Sequence, residues 1–309
     1  MNKFFGLLSF VFLFYVFSPQ TAHALTIVEM LQGSQDTANF TAKSYVVTDS
    51  QTGQVLLSKN AGQVWVPASI TKLVTALVVL DAKINLKKVV AMTAEDQVIG
   101  GCSSGGACIS TKPGVKYKLQ DLLYAALVAS ANNAANAVSR SAGLSQNDFV
   151  IKMNAKVKEL GALNTVFVEP TGMSPNNKTT AEDYVKIITA AFNDPVLKNI
   201  LKTQKYSFRS TNNSRYSHSI KSTNKLLADP DITMLGGKTG YLDESQYNFV
   251  SIAKDKMNNQ FSVVVFGSKN GTTQFAETKE LINLASAMKS FDINFPAVLG
   301  ASTTVLINK

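Results

Sequence analysis

The chain has 309 residues, enough for one large domain or two smaller ones with an ample core. A hydrophobic share of 45% and a charged share of 17% are those of an ordinary globular protein, and no internal repeat or low-complexity tract interrupts them. The formal net charge of +9 suits an anionic surface such as cell wall or lipid head groups, and equally a solvated basic face. Nucleic acid is disfavoured, because no basic run with interleaved aromatics is evident.

Taken in chain order, the first element is a leader. Lys3, an apolar run from Phe4 to Phe17 and Ala22-His23-Ala24 form the basic start, short apolar stretch and small-residue site of a secretory signal peptide. Residues 1–24 are therefore expected to be removed, leaving a mature chain from Leu25 with no stable membrane anchor. Residues 25 to about 40 read as a polar arm. Ser44-Tyr45-Val46-Val47 and Val55-Leu56-Leu57 flank the turn-like Ser50-Gln51-Thr52-Gly53, which predicts a hairpin. Pro67-Ala68 leads into a helix from about Ser69 to Asp81, with Leu73, Ala76, Leu77 and Leu80 at helical spacing.

Cys102 and Cys108 are the only cysteines and sit in a Gly/Ser-rich loop. In an exported protein they could close a small disulfide ring. Two thiols without a nearby His or carboxylate make only half a zinc site, so no metal is expected. Helices are predicted over Leu119–Val128, Asn132–Ser141 and Gln146–Leu160, and another opens at Thr180 as its N-cap. The last third turns to strand, with Asn248–Lys254 and Gln260–Phe266 as a second hairpin, then a helix from about Thr273 to Lys289. The expected architecture is α+β, an antiparallel sheet built from both ends of the chain. A helical insertion spans about 82–215, and a site lies at the seam between the two parts.

Three short motifs carry the chemistry: Ser69-Ile70-Thr71-Lys72, Ser130-Ala131-Asn132 and Lys238-Thr239-Gly240. Ser69 and Lys72, three apart at a helix start, share a face, so hydroxyl and amine can meet. Unpaired N–H groups at a helix start can bind an oxyanion. An exposed lysine titrates near ~10.4 and is a poor base at neutral pH, but burial or a neighbouring cation such as Lys238 lowers it. The pair then becomes nucleophile and base without histidine. Ser130 could relay a proton to a leaving amine, and Asn132 offers a donor and an acceptor to a substrate amide. Lys238 and Thr239 suit a carboxylate, while Gly240 lets a ligand backbone approach closely. Each motif alone is more often a capped helix, a capping turn or a plain strand edge. The ordered combination is not.

That combination is the Ser-x-x-Lys, Ser-x-Asn, Lys-Thr-Gly set of penicillin-binding serine enzymes. From Ser44 to Leu284 the chain resembles the D-alanyl-D-alanine carboxypeptidases, low-molecular-weight penicillin-binding proteins of the serine D,D-peptidase family. The resemblance extends to Asp49–Leu56, Pro67–Leu73, Pro170-Thr171-Gly172-Met173, Thr180–Asp183 and Gly237–Tyr241. It implies a β-lactamase/transpeptidase-like fold without cofactor, with residues 25–309 as one catalytic domain; many relatives also carry a C-terminal β domain, which this chain is expected to lack. It also implies attack by Ser69 on the D-Ala-D-Ala carbonyl of a peptidoglycan stem peptide, in the periplasm or cell-wall space of a bacterium. Lys72 would be the base and Ser130 the relay. Asn132, Lys238, Thr239 and Tyr241 would bind substrate, the last by its N–H beside that of Ser69, and β-lactams would act as covalent inhibitors. Where many relatives carry an arginine before the last helix, this chain has Thr272-Thr273-Gln274-Phe275, with Lys269 nearby.

Four rivals remain. D,D-endopeptidase activity on cross-links shares all three motifs. A β-lactamase is suggested by Glu169-Pro170, although Thr171-Gly172-Met173 fits the peptidase pattern better. Gly101-Cys102-Ser103-Ser104-Gly105 matches Gly-x-Ser-x-Gly of α/β-hydrolases but lacks the helix that motif needs. The last is a non-catalytic cell-wall or antibiotic-binding module.

Overall fold

The fold is described from a computed structural model over residues 40–99, 101–290 and 297–298. The expected signal peptide and most of the arm lie outside these residues. A six-stranded sheet carries the structure. Its strands are β1 (Ser44–Asp49), β2 (Val55–Lys59), β7 (Thr233–Leu242), β8 (Gln246–Lys254), β9 (Gln260–Ser268) and β10 (Ala297–Val298), in the order β10-β2-β1-β9-β8-β7. All pairings are antiparallel except β10 with β2. Strands from both ends of the chain thus meet at β1 and β9, as the sequence predicts, and β7 is an outer strand.

Both faces of this sheet are covered, which explains the nearly continuous apolar runs of β8 and β9. On one face Tyr45, Val47, Phe249, Phe261, Val263 and Val265 pack against α8 (Thr273–Ser290) through Phe275, Leu281, Ile282 and Ala285. On the other, Val46, Val250, Ile252, Val264 and Phe266 join the helical core. The period-two alternation of a strand sorts its side chains between the two cores.

The helical core is centred on α1 (Lys72–Asp81), whose residues from Lys72 to Val79 are all buried. A helix that is apolar nearly all round belongs inside. Around it lie α3 (Leu119–Val128), α4 (Asn132–Arg140), α5 (Gln146–Glu159) and α6 (Ala181–Asn193), with α2 (Ala94–Ile99) and α7 (Pro195–Leu201) outside them. Ser145 and Thr180 cap α5 and α6 by accepting from the N–H groups of Asp148 and Asp183. Besides its helices, this part holds two small antiparallel pairs not foreseen from the sequence: β3 (Val89–Ala91) with β4 (Lys116–Lys118), and β5 (Lys205–Arg209) with β6 (Ser217–Lys221). The turn of the second pair falls on residue 215. Among the described residues, no helix is long and apolar enough to cross a membrane.

Candidate active site

The segment before α1 is clamped from three sides. From the sheet, the fully buried Asn248 of β8 donates through Nδ2 to Val66 O (2.9 Å) and Pro67 O (3.1 Å), and accepts from Gly267 N–H (3.1 Å). Gly240 of β7 lies so close that a Cβ there would stand 2.7 Å from Pro67 O and 3.2 Å from Ser69 N. Gly172, at φ +85°, presses from the opposite loop, where a Cβ would fall 1.9 Å from Ala68 O. Only glycine fits either approach. Between these clamps Ala68 is held at φ +53°, a left-handed conformation that costs a non-glycine residue energy and must be imposed by its surroundings. The next residues form a single 3-10 turn, Ala68–Thr71, before α1 begins at Lys72. The helix expected from Ser69 therefore starts tighter and later. The outcome is a half-buried Ser69 Oγ, 2.8 Å from the Nζ of the buried Lys72.

Lys72 Nζ also donates to Thr171 O at 2.6 Å. That carbonyl is aimed by Glu169, whose carboxylate gathers the loop around itself. Oε2 accepts from Thr171 N–H (2.7 Å) and Thr171 Oγ1 (2.6 Å), and Oε1 from Gly172 N–H (2.7 Å) and Asn177 Nδ2 (2.8 Å). Thr75 of α1 ties the same loop down by donating to Pro170 O (2.5 Å). Pro170 also lines a cavity of about 250 Å³ with Glu95, Asp96, Asn136 and Arg140, which none of the motif residues reaches.

The opposite wall comes from the α3–α4 turn and β7. Ser130 stands at φ +61° in the short link between the two helices, an αL turn that places its hydroxyl 2.8 Å from Lys238 Nζ. Lys238, fully buried, also donates to Thr239 O (2.8 Å), and Thr239 Oγ1 bonds Thr223 Oγ1 (2.7 Å). An ammonium has three N–H donors, and two are used here. Asn132, at the start of α4, donates through Nδ2 to Met173 Sδ of the Glu169 loop (3.1 Å), joining the two walls.

Burial lowers both lysines. Lys72 is pushed down to about 7, with the Glu169 carboxylate acting in the opposite direction. Lys238 is held well below its ordinary range by burial and then by the charge of Lys72. A Lys72 amine that titrates at about 7 is uncharged in part at neutral pH, which leaves a base beside Ser69. The arrangement can deprotonate a hydroxyl, pass a proton along Ser130 and hold an anion near Lys238 and Thr239.

Ser69, Lys72, Ser130, Lys238 and Thr239 thus converge, with Asn132 at their edge. Tyr241 follows Gly240 on β7, and its side chain is exposed, its ring tilted against that of Tyr247 with centroids 4.4 Å apart. Cys102 and Cys108 are joined in a disulfide with Cα atoms 5.7 Å apart. Their loop borders the cleft, since Ala107 O accepts from Asn132 N–H (2.7 Å) and a Cβ on Gly101 would touch Met173 Cε at 3.1 Å. Thr223 and Asn248 were not singled out by sequence reasoning. Thr223 belongs to no motif. Asn248, a buried polar side chain at the head of an apolar strand, was a readable signal.

Residues 31–270 match the D-alanyl-D-alanine carboxypeptidase family. A D-alanyl-D-alanine endopeptidase of Pseudomonas aeruginosa is 33% identical over 243 residues, 77% of this chain and 75% of that one. A D-alanyl-D-alanine carboxypeptidase of Mycobacterium tuberculosis is 34% identical over 215 residues, 69% and 70% of the two chains. Among solved structures, the Streptomyces K15 DD-transpeptidase superposes with a TM-score of 0.76 at 25% identity, covering 80% of this chain and 98% of that one. The fold is that of the DD-transpeptidases and carboxypeptidases, as the sequence reading anticipated. The chain belongs to the D-alanyl-D-alanine carboxypeptidase family of serine peptidases.

Proposed function

We propose that the chain is an exported, penicillin-sensitive serine D,D-carboxypeptidase that removes the terminal D-alanine of peptidoglycan stem peptides. The observation that carries this reading is the meeting of two Ser–Lys pairs, Ser69–Lys72 and Lys238–Ser130, each at 2.8 Å. Neutral Lys72 takes the Ser69 hydroxyl proton while Oγ attacks the carbonyl of the penultimate D-alanine. The resulting oxyanion lies between the N–H groups of Ser69 and Tyr241. Collapse breaks the C–N bond; Ser130, hydrogen-bonded to Lys238, hands its proton to the departing D-alanine nitrogen and regains the one that Lys72 took from Ser69. Lys238, Thr239 and Thr223 supply the charge and hydroxyls for the substrate carboxylate. Water then attacks the ester, giving up its proton as Ser69 Oγ regains one, and the shortened peptide leaves. A β-lactam follows the same first step and stays bound as an ester.

The β-lactamase alternative is weakened by Glu169. Its oxygens are taken by the loop's own donors rather than left to activate a deacylating water. One observation favours endopeptidase action as a second reading. The three arginines of the chain are Arg140, paired with Asp96, Arg209 on β5 and Arg215 in the turn before β6, so none stands in the 272–275 stretch. Recognition of a free terminal carboxylate then rests on Lys238 and its hydroxyl neighbours. Mature protein incubated with a linear stem pentapeptide should release free D-alanine, faster than it splits a purified cross-linked dimer. Faster cleavage of the dimer would transfer the assignment to the endopeptidase, and no cleavage of either would refute both.

A further inference from the structure

The hairpin β5–β6 is built on a segment without acid. From Pro195 to Ala228 the chain carries Lys198, Lys202, Lys205, Arg209, Arg215, Lys221 and Lys225, and no Asp or Glu. The strand alternation divides this hairpin cleanly. Phe208, Tyr206, His218 and Ile220 face the helical core, where Tyr206 stacks on Tyr124 (3.8 Å) and His218 Nε2 meets Tyr117 Oη (3.0 Å). Lys205, Ser207 and Arg209 face outward, paired in register with Lys221, Ser219 and Ser217. All six are exposed. Lys205 stands directly opposite Lys221, a like-charge pair that weakens a two-stranded sheet when nothing neutralises it.

Nothing among the described residues does so. Among the described residues none of the hairpin's cations takes part in an ion pair, whereas Lys156, Lys186, Lys279 and Lys289 elsewhere each hold a carboxylate. The basic face continues onto β4, tied to the hairpin end by Thr211 N–H to Lys116 O (2.8 Å), where Lys116 and Lys118 are exposed. It also begins at the cleft. Lys221 is two residues, no more than about 7 Å of extended chain, from Thr223, which bonds Thr239. From there the row runs along a five-residue strand, about 17 Å.

We propose that this outward face is a docking surface for the carboxylate-bearing peptide strands of the polymer on which the cleft acts. The proposal rests on the peptidase reading above. Acidic stem peptides beside the one being cleaved would supply the missing counter-charges in a row leading away from the active site. The hairpin aromatics point inward, so no stacking platform for a nucleic acid is presented.

The test compares wild type with the triple variant K205E/R209E/K221E and its neutral counterpart K205Q/R209Q/K221Q. A control, K152E/K158E/K256E, makes the same change in net charge at exposed lysines on α5 and in the β8–β9 turn. Benzylpenicillin acylation reads the cleft alone. Co-sedimentation with insoluble cell-wall sacculi, stripped of phosphate polymers by acid, reads docking. Both hairpin variants should acylate within twofold of wild type yet bind sacculi at least tenfold more weakly, with the control unchanged. Wild-type binding should fade between 0.1 and 1 M salt, as the screening length drops from about 10 to about 3 Å. Amidating the sacculus carboxylates should abolish it. If the neutral variant binds stripped sacculi as wild type does, the proposal is overturned. Equal loss in the control, or binding seen only with unstripped sacculi, overturns it as well. Loss of acylation in wild type would instead strike the peptidase reading.

Discussion

Ser69–Lys72 and Ser130–Lys238 are the same chemical pair at the same 2.8 Å separation, and their surroundings make them different tools. The first is housed in hydrogen bonds from a carboxylate-centred loop: Glu169 aims Thr171 O at Lys72 and opposes its loss of charge. The second is held by a left-handed turn and an outer strand, with no carboxylate among the described residues against Lys238 and with burial and the charge of Lys72 pushing it down. Identical side chains are thereby divided between proton acceptance at the nucleophile and relay plus anion binding at the leaving group. Environment, not residue type, assigns the roles.

Breaking the first pair should have the largest effect. Lys72→Ala removes the base and should slow benzylpenicillin acylation by about 10²–10⁴-fold, the usual worth of a positioned general base. Acylation by wild type should rise with pH through about 7, because Lys72 accepts a proton only when neutral and protonates below that value. The variant should lose that ascending limb. Ser130→Ala interrupts the relay on the second pair. It should cost about 10²-fold in acylation while leaving the position of the ascending limb in place.

Glu169→Gln sharpens the contrast. It removes the carboxylate that favours the charged amine, so the ascending limb should move to lower pH. Charged acceptors of buried N–H groups are worth about 1.5–3 kcal/mol, so the loop should also loosen and acylation fall about tenfold. A limb that stays in place would mean Glu169 acts on the loop alone. Asn248→Ala, which strips three hydrogen bonds behind the nucleophile, should lower stability by about 1–3 kcal/mol in thermal unfolding. Its effect on acylation should be smaller than that of any preceding variant.

Much of this was readable in the chain. The three motifs located both pairs. β-Rich runs around turn clusters located β1, β2, β8 and β9, helical spacing located α1 and α5, and the cap at Thr180 is local chemistry. What escaped was long-range. Thr171 acts through its backbone carbonyl, which no side-chain pattern advertises. Thr223 meets Thr239 only because the β5–β6 hairpin returns the chain to β7. That hairpin had a signal in the alternation of Lys205, Tyr206, Ser207, Phe208 and Arg209, but its aromatics turn inward, and the charge that remains outside becomes legible only with the fold.

The central claim is that Ser69 is the acylated nucleophile and Lys72 its base. Intact-mass measurement during incubation with benzylpenicillin, at pH 5.5 and at pH 8, tests it most directly. The account predicts a lasting gain equal to the whole drug, faster at pH 8 and absent in Ser69→Ala. An adduct that persists in Ser69→Ala, or drug consumed with no adduct at all, would contradict it.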